Sequence, residues 1–210
     1  DGYDDVVVGA NEIWSDFYGQ DHGAAYLYLG GAGGVSTTED WYVRAFDGTS
    51  DFGWSVASAG DVDGDGYDDV IVGAPHYTGV EPHEGIAYLY MGSAAGLSTT
   101  TAWAADSDAQ QVFFGSSVAP AGDLDGDGYD DVIVGGPGGG LASVFLGSAN
   151  GLGSVARWTG TVSQATTSFG ASVAGGGDVN GDGSLDLLVG APWYDHGQSN
   201  EGRAYVYFGR

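Results

Sequence analysis

The sequence predicts an all-β protein built from repeated four-stranded units packed radially, a β-propeller. Three observations carry this. A marker set recurs in fixed order: Phe52-Gly53, Phe114-Gly115 and Phe169-Gly170 stand 62 and 55 residues apart, each followed by Ser-Val-Ala and then Gly-Asp. Repetition at such a period is the signature of stacked or radial units that cannot bury their faces alone. The apolar residues come in short runs broken by turn residues, without the 3.6-residue stripe of a helix. Glycine makes up 41 of the 210 residues, alongside 13 Tyr and 6 Trp, which suits many short strands joined by tight turns.

Each unit reads as four strands. The first is the Ser-Val-Ala segment at 55–57, 117–119 and 172–174. After an Asp-rich loop comes the second, the apolar runs Val70–Pro75, Val132–Pro137 and Leu187–Pro192, with a fourth copy at Val6–Ala10. The third holds Tyr26-Leu27-Tyr28, Tyr88-Leu89-Tyr90, Val144-Phe145-Leu146 and Tyr205-Val206-Tyr207. The fourth is centred on Trp41, Trp103 or Trp158, each eleven residues after the Gly that ends the third. Small residues in strands one and two let neighbouring sheets crowd around an axis, and the aromatics of strands three and four fill the wider outer gaps.

The expected division is a partial blade at 1–51, blades at 52–113 and 114–168, and a partial blade at 169–210. That is about three and a half blades and 14 strands, grouped 3, 4, 4 and 3. Sheet edges left open at both ends predict either a piece of a longer polypeptide or a half-ring that completes itself by association.

Composition narrows the function classes. With 29 acidic residues against four Arg and no Lys, the formal charge is −25, which repels phosphate backbones and anionic membranes. Nucleic acid and membrane insertion are therefore not expected, and no run of apolar residues is long enough for a spanning helix. Cysteine is absent, which excludes disulfides and thiolate chemistry. The opening residues do not have the pattern of a signal peptide.

The acids concentrate in three loops at equivalent places. These are Asp61, Asp63, Asp65, Tyr67 and Asp69; Asp123, Asp125, Asp127, Tyr129 and Asp131; and Asp178, Asn180, Asp182, Ser184 and Asp186. Oxygens at positions 1, 3, 5 and 9, with a backbone carbonyl at position 7, can wrap a hard cation. Glycines at positions 4 and 6 permit the curl. Calcium takes six to eight oxygens in flexible geometry, whereas magnesium demands a stricter octahedron. Close carboxylate pairs repel by up to roughly 4 kcal/mol at an effective dielectric near 20, and no Lys or Arg lies in these loops, so Ca2+ is expected at three sites. The competing reading, solvated Asp-Gly turns, fits one isolated loop better than three equivalent ones. An EF-hand is excluded: position 12 is Val72, Val134 or Val189 where that motif needs Glu. Asp68 and Asp130, at position 8, are expected in solvent because Leu185 replaces them in the third loop. Asp1, Tyr3 and Asp5 match positions 5, 7 and 9 of an incomplete fourth site.

Phe-Gly, then Asp-x-Asp-x-Asp-Gly, then Gly-Ala-Pro resembles the FG-GAP repeat of integrin α-subunit propellers and related bacterial surface proteins, over essentially the whole chain. The resemblance implies a ring of seven blades, an extracellular setting (secreted or cell surface), and ligand recognition on the face of the loops joining strands two and three. Here those loops are Asn11–Gly23, His76–Gly85 and Trp193–Gly202, while the third unit has Gly138-Gly139-Gly140 alone. They carry Trp14, Phe17, Tyr18 and His22, then His76, Tyr77, His83 and Glu84, then Trp193, Tyr194 and His196. Exposed aromatics among acids on variable loops suit protein or glycan recognition; the bland alternative is a cap on the core. The remaining Trp residues are expected to pack internally.

The expectation is thus a calcium-binding, non-enzymatic module for extracellular recognition or adhesion. Alternatives are a purely architectural segment of a larger secreted or surface protein, or a non-catalytic propeller attached to a hydrolase. No Gly-x-Ser-x-Gly elbow and no Cys nucleophile argue for catalysis.

Overall fold

The computed structural model describes residues 2–15, 20–45, 50–164 and 167–209, with the side chains of 13–15 and 20–22 outside that description. Among the described residues there are fourteen strands and no helix. The first sheet holds β1 (Val6–Ser15), β2 (Gln20–Tyr28) and β3 (Trp41–Arg44). The second holds β4 (Ser55–Gly60), β5 (Asp69–Ala74), β6 (Ile86–Tyr90) and β7 (Trp103–Asp106). The third holds β8 (Ser117–Gly122), β9 (Asp131–Gly136), β10 (Leu141–Phe145) and β11 (Trp158–Thr161). The fourth holds β12 (Ser172–Gly177), β13 (Asp186–Ala191) and β14 (Arg203–Tyr207). Every pairing is antiparallel and sequential, so each sheet is an up-and-down propeller blade, complete or partial.

Consecutive sheets pack face to face through three cores. The first and second bury Trp41, Val43, Val70, Val72 and Tyr90 between them; the second and third bury Ile71, Leu89, Val132, Val134 and Phe145; the third and fourth bury Ile133, Val144, Phe169, Leu187 and Val189. Strands β4, β8 and β12 contact one another in sequence along the inner side. Their small side chains allow this approach. Aromatic pairs bridge the blades further out, as between Trp41 and Tyr90, Trp103 and Phe145, and Trp158 and Tyr207.

The Phe-Gly and Gly-Ala/Gly signatures meet across each blade junction. A Cβ on Gly9, Gly73 or Gly135 would lie 2.0, 1.9 or 2.0 Å from the carbonyl oxygen of Gly53, Gly115 or Gly170 in the next blade. Ser55 and Ser117 donate their hydroxyls to the Gly115 and Gly170 carbonyls at 2.7 and 2.8 Å. Glycine is required at the first set because the neighbouring backbone occupies the place of a side chain.

Three local expectations change. The described residues of the segment Asn11–Gly23 are strand, since Ile13, Trp14 and Ser15 pair with His22, Asp21 and Gln20 beyond a register shift after Ala10. Strand one continues past Ser-Val-Ala to the Gly before the acidic loop, with a bulge just before Gly60, Gly122 and Gly177. The Trp residues open the fourth strand instead of centring it, and Trp41 and Trp103 reach forward to donate Nε1–H to the Ser98 and Gly153 carbonyls of the next blade, at 2.9 and 3.0 Å.

Candidate metal centres and the opposite loop face

The acidic loops join strands one and two of the second, third and fourth sheets, and each curls around its first Asp. Asp61 Oδ1 accepts the Gly64 and Asp65 N–H groups at 2.8 and 3.0 Å, and its Oδ2 accepts Gly66 N–H at 2.9 Å. Asp123 does the same for Gly126, Asp127 and Gly128, and Asp178 for Gly181, Asp182 and Gly183. Position 5 continues the curl: Asp65, Asp127 and Asp182 accept from Tyr67, Tyr129 and Ser184. Gly64 and Gly66 sit at φ +74° and +92°, in the left-handed region that a side chain disfavours.

This curl gathers acids. Asp61, Asp63 and Asp65 each offer a carboxylate oxygen within 4.8 Å of the others, as do Asp123, Asp125 and Asp127. Three such oxygens converging without a cationic side chain fit a hard, oxygen-seeking divalent ion. The loop at 178–186 differs. Its Asn180 is neutral and donates Nδ2–H to Asp182 at 2.7 Å, and the Ser184 N–H followed by this amide holds the Asp182 carboxyl below its usual range.

Position 9 is anchored differently. Asp69, Asp131 and Asp186 are fully buried. Their Oδ2 atoms accept the position-2 N–H of Val62, Leu124 and Val179, and their Oδ1 atoms accept Gly92, Gly147 and Gly209 N–H from the turn after strand three. Burial, first, and then the neighbouring loop carboxylates push Asp69 and Asp131 up to about 6, against the backbone donors that lower them. Each oxygen keeps a second lone pair for a cation. Asp5 accepts Gly30 N–H at 2.8 Å in the same way, so it occupies position 9 of the first sheet, with Tyr3 beside Gly30 at position 7. Asp1 lies outside the described residues.

Position 8 departs from expectation. Asp130 does not simply face solvent: its Oδ2 accepts the Asp61 N–H at 2.9 Å, and its N–H donates to the Asp61 carbonyl at 3.0 Å. Leu185 packs at the equivalent spot against Gly122 of the preceding blade. Asp68 is exposed, with a long 3.4 Å contact from Ser58 Oγ.

On the opposite face the aromatic and histidine residues fall into two groups. In one, Tyr194 packs on the core of the last two sheets, takes the Arg203 guanidinium over its ring at 4.0 Å, and stacks with His196, while Trp193 is 59% exposed. In the other, His76 contacts Trp54, His83 and Phe113 edge-on, and its Nδ1 lies 2.6 Å from Asp51 Oδ2. Tyr77 is half-buried against the core between the first two sheets. Glu84 is buried and internally satisfied by the Gly79, Val80 and Glu81 N–H groups, which makes it a loop closure. Trp14 and His22 stand on the β1–β2 hairpin without described side chains, and Phe17 and Tyr18 lie outside the described residues.

Trp54, expected in the core, is 53% exposed. Asp51, Trp54 and Phe113 were not among the candidate ligand residues. The signal that finds them is departure from the repeat, since Trp54 aligns with Ser116 and Ala171, and Phe113 with Asp51 and Ser168.

Comparison with known proteins agrees with this geometry. The FG-GAP repeat family profile matches residues 52–90, 114–156 and 169–207. The chain is 36% identical to human integrin alpha-IIb over 185 residues, covering 76% of this chain and 17% of that protein. Human integrin alpha-7 is 37% identical over 150 residues, covering 68% and 12%. Integrin alpha-5 of Xenopus laevis is 35% identical over 144 residues, covering 64% and 13%. The chain therefore spans less than a fifth of the length of these relatives. With three matched repeats, each ending one blade's inner strand in an acidic loop, the chain belongs to the FG-GAP repeat family of integrin-like propellers.

Proposed function

We propose that the chain is a calcium-stabilised recognition or adhesion module that works outside the cell. Ca2+ is held by Asp61, Asp63, Asp65, Asp69 and the Tyr67 carbonyl, by the equivalent set from Asp123 to Asp131, and more weakly by the set from Asp178 to Asp186. The observation that carries this is the convergence of three carboxylates within 4.8 Å at two equivalent loops that have no compensating cation. A protein or glycan ligand meets the opposite face, where exposed rings stand on the loops between strands two and three. The names of the integrin relatives support an adhesive role.

Self-association through the end sheets belongs to the same proposal. Leu188 and Val206 of the fourth sheet are 37% and 43% exposed, whereas their counterparts Ile71 and Leu89 are fully buried against the next blade. A second copy would cover that face.

Immobilised chain, challenged with extracellular protein and glycan arrays in calcium, tests the module. Ligand capture lost on replacing Trp193 or His83 with Ala supports recognition. No capture in calcium would leave an architectural segment as the better account.

A further inference from the structure

We infer that Trp54, His76, His83 and Asp51 form a binding site for a neutral carbohydrate; this specifies the recognition proposal and rests on it. The four residues, with Phe113, come from three separate segments: the connection before β4, the loop between β5 and β6, and the connection before β8. Their rings form one continuous group. Trp54 meets His76 edge-on at 6.1 Å, His76 meets His83 at 5.5 Å and 87°, and His83 stacks on Phe113 at 5.9 Å.

The repeat needs none of these side chains. Ser116 and Ala171 stand where Trp54 does, Gly138 and Trp193 where His76 does, Asn200 where His83 does, and Asp51 and Ser168 where Phe113 does. Trp54, His83 and Phe113 are rings that the other units replace with small or polar residues, and their gathering around His76 is not explained by packing. Trp54 also leaves more than half of its surface in water, although a large indole gains most from burial.

The polar atoms point to the ligand class. Asp51 holds His76 Nδ1 at 2.6 Å, which fixes the tautomer. The other His76 ring nitrogen and both ring nitrogens of His83 have no hydrogen-bond partner among the described residues. Apolar ring surface beside unpaired donors and acceptors suits a molecule with a C–H face and a hydroxylated edge, which is a pyranose ring. The net charge of −25 disfavours anionic sugars.

The test is a panel of neutral, sialylated and sulfated saccharides on the calcium-treated chain, followed by titration of neutral hits against wild type, Trp54→Ala and His76→Gln. Binding of a neutral saccharide, weakened at least tenfold by each substitution with the thermal midpoint unchanged, supports the site. Binding of anionic saccharides alone, or neutral binding indifferent to Trp54→Ala, overturns it. Capture of a protein ligand with no saccharide bound overturns this inference and leaves the recognition proposal standing; no ligand of either kind defeats both.

Discussion

Asp130 reaches back one blade, so that its carboxylate accepts the Asp61 N–H and its own N–H donates to the Asp61 carbonyl, at 2.9 and 3.0 Å. The first position of one acidic loop is thus clamped by the next loop. Asp68, at the same position one blade earlier, has no such contact and is exposed. Asp130→Ala should therefore cost about 1.5–3 kcal/mol, the range for a lost hydrogen bond to a charged group. Asp68→Ala should stay within about 0.5 kcal/mol, as for ordinary surface changes. Urea unfolding of both variants checks this, and equal losses would contradict it.

The glycine contact across each blade junction gives a second prediction. At Gly73 an added methyl would overlap the Gly115 carbonyl oxygen at 1.9 Å, and neither backbone can yield without parting the blades. Gly73→Ala should cost about 3 kcal/mol or more, at the upper end of overpacking effects. Gly33, with nothing within 4 Å and no left-handed φ, is the control, and Gly33→Ala should be close to neutral in the same unfolding experiment.

In chelator, pH should act through Asp69 and Asp131. Both are pushed up to about 6, chiefly by burial, whereas an unfolded Asp titrates near 3.9. Between those values the folded chain binds more protons than the unfolded one, so these two groups make stability fall as pH rises from about 4 to about 6. Below that window their contribution is fully present. Calcium needs the ionised forms, so calcium-loaded chain should show the opposite slope. Thermal midpoints across this range, with and without calcium, measure both signs.

The neutral Asn180 predicts that the loop at 178–186 is the weakest of the three. Asn180→Asp removes the amide donor to Asp182 and adds a fourth carboxylate, and affinity in such loops follows ligand charge. The weakest of the stepwise calcium constants should tighten by about tenfold, a change of about 1.4 kcal/mol, as read by calorimetric titration. No change would mean that position 3 does not touch the ion.

The repeat made the blade order and the acidic loops legible, because both depend on local spacing: Phe-Gly, Asp-x-Asp and Gly-Ala-Pro each encode one turn or one close approach. What escaped the sequence depends on contacts between units. Asp130 looked like a solvated acid because its partner, Asp61, lies 69 residues away. Trp54 looked like core because indole favours burial, whereas it stands in the connection before β4, more than half exposed, with His76 edge-on to it. The β1–β2 hairpin outran its expected loop because residues 11–23 carry strand-forming Ile13 and Trp14 among polar neighbours that masked the pairing.

The central claim is that calcium, held in the acidic loops, stabilises the folded blades. Thermal unfolding of the purified chain in calcium and then in excess chelator tests it most directly. Binding to the folded state alone raises stability by about 2.7 kcal/mol per site at a hundredfold excess over Kd, so the midpoint should drop strongly in chelator. An unchanged midpoint would contradict the claim and reduce the three loops to solvated acidic turns on an intact propeller.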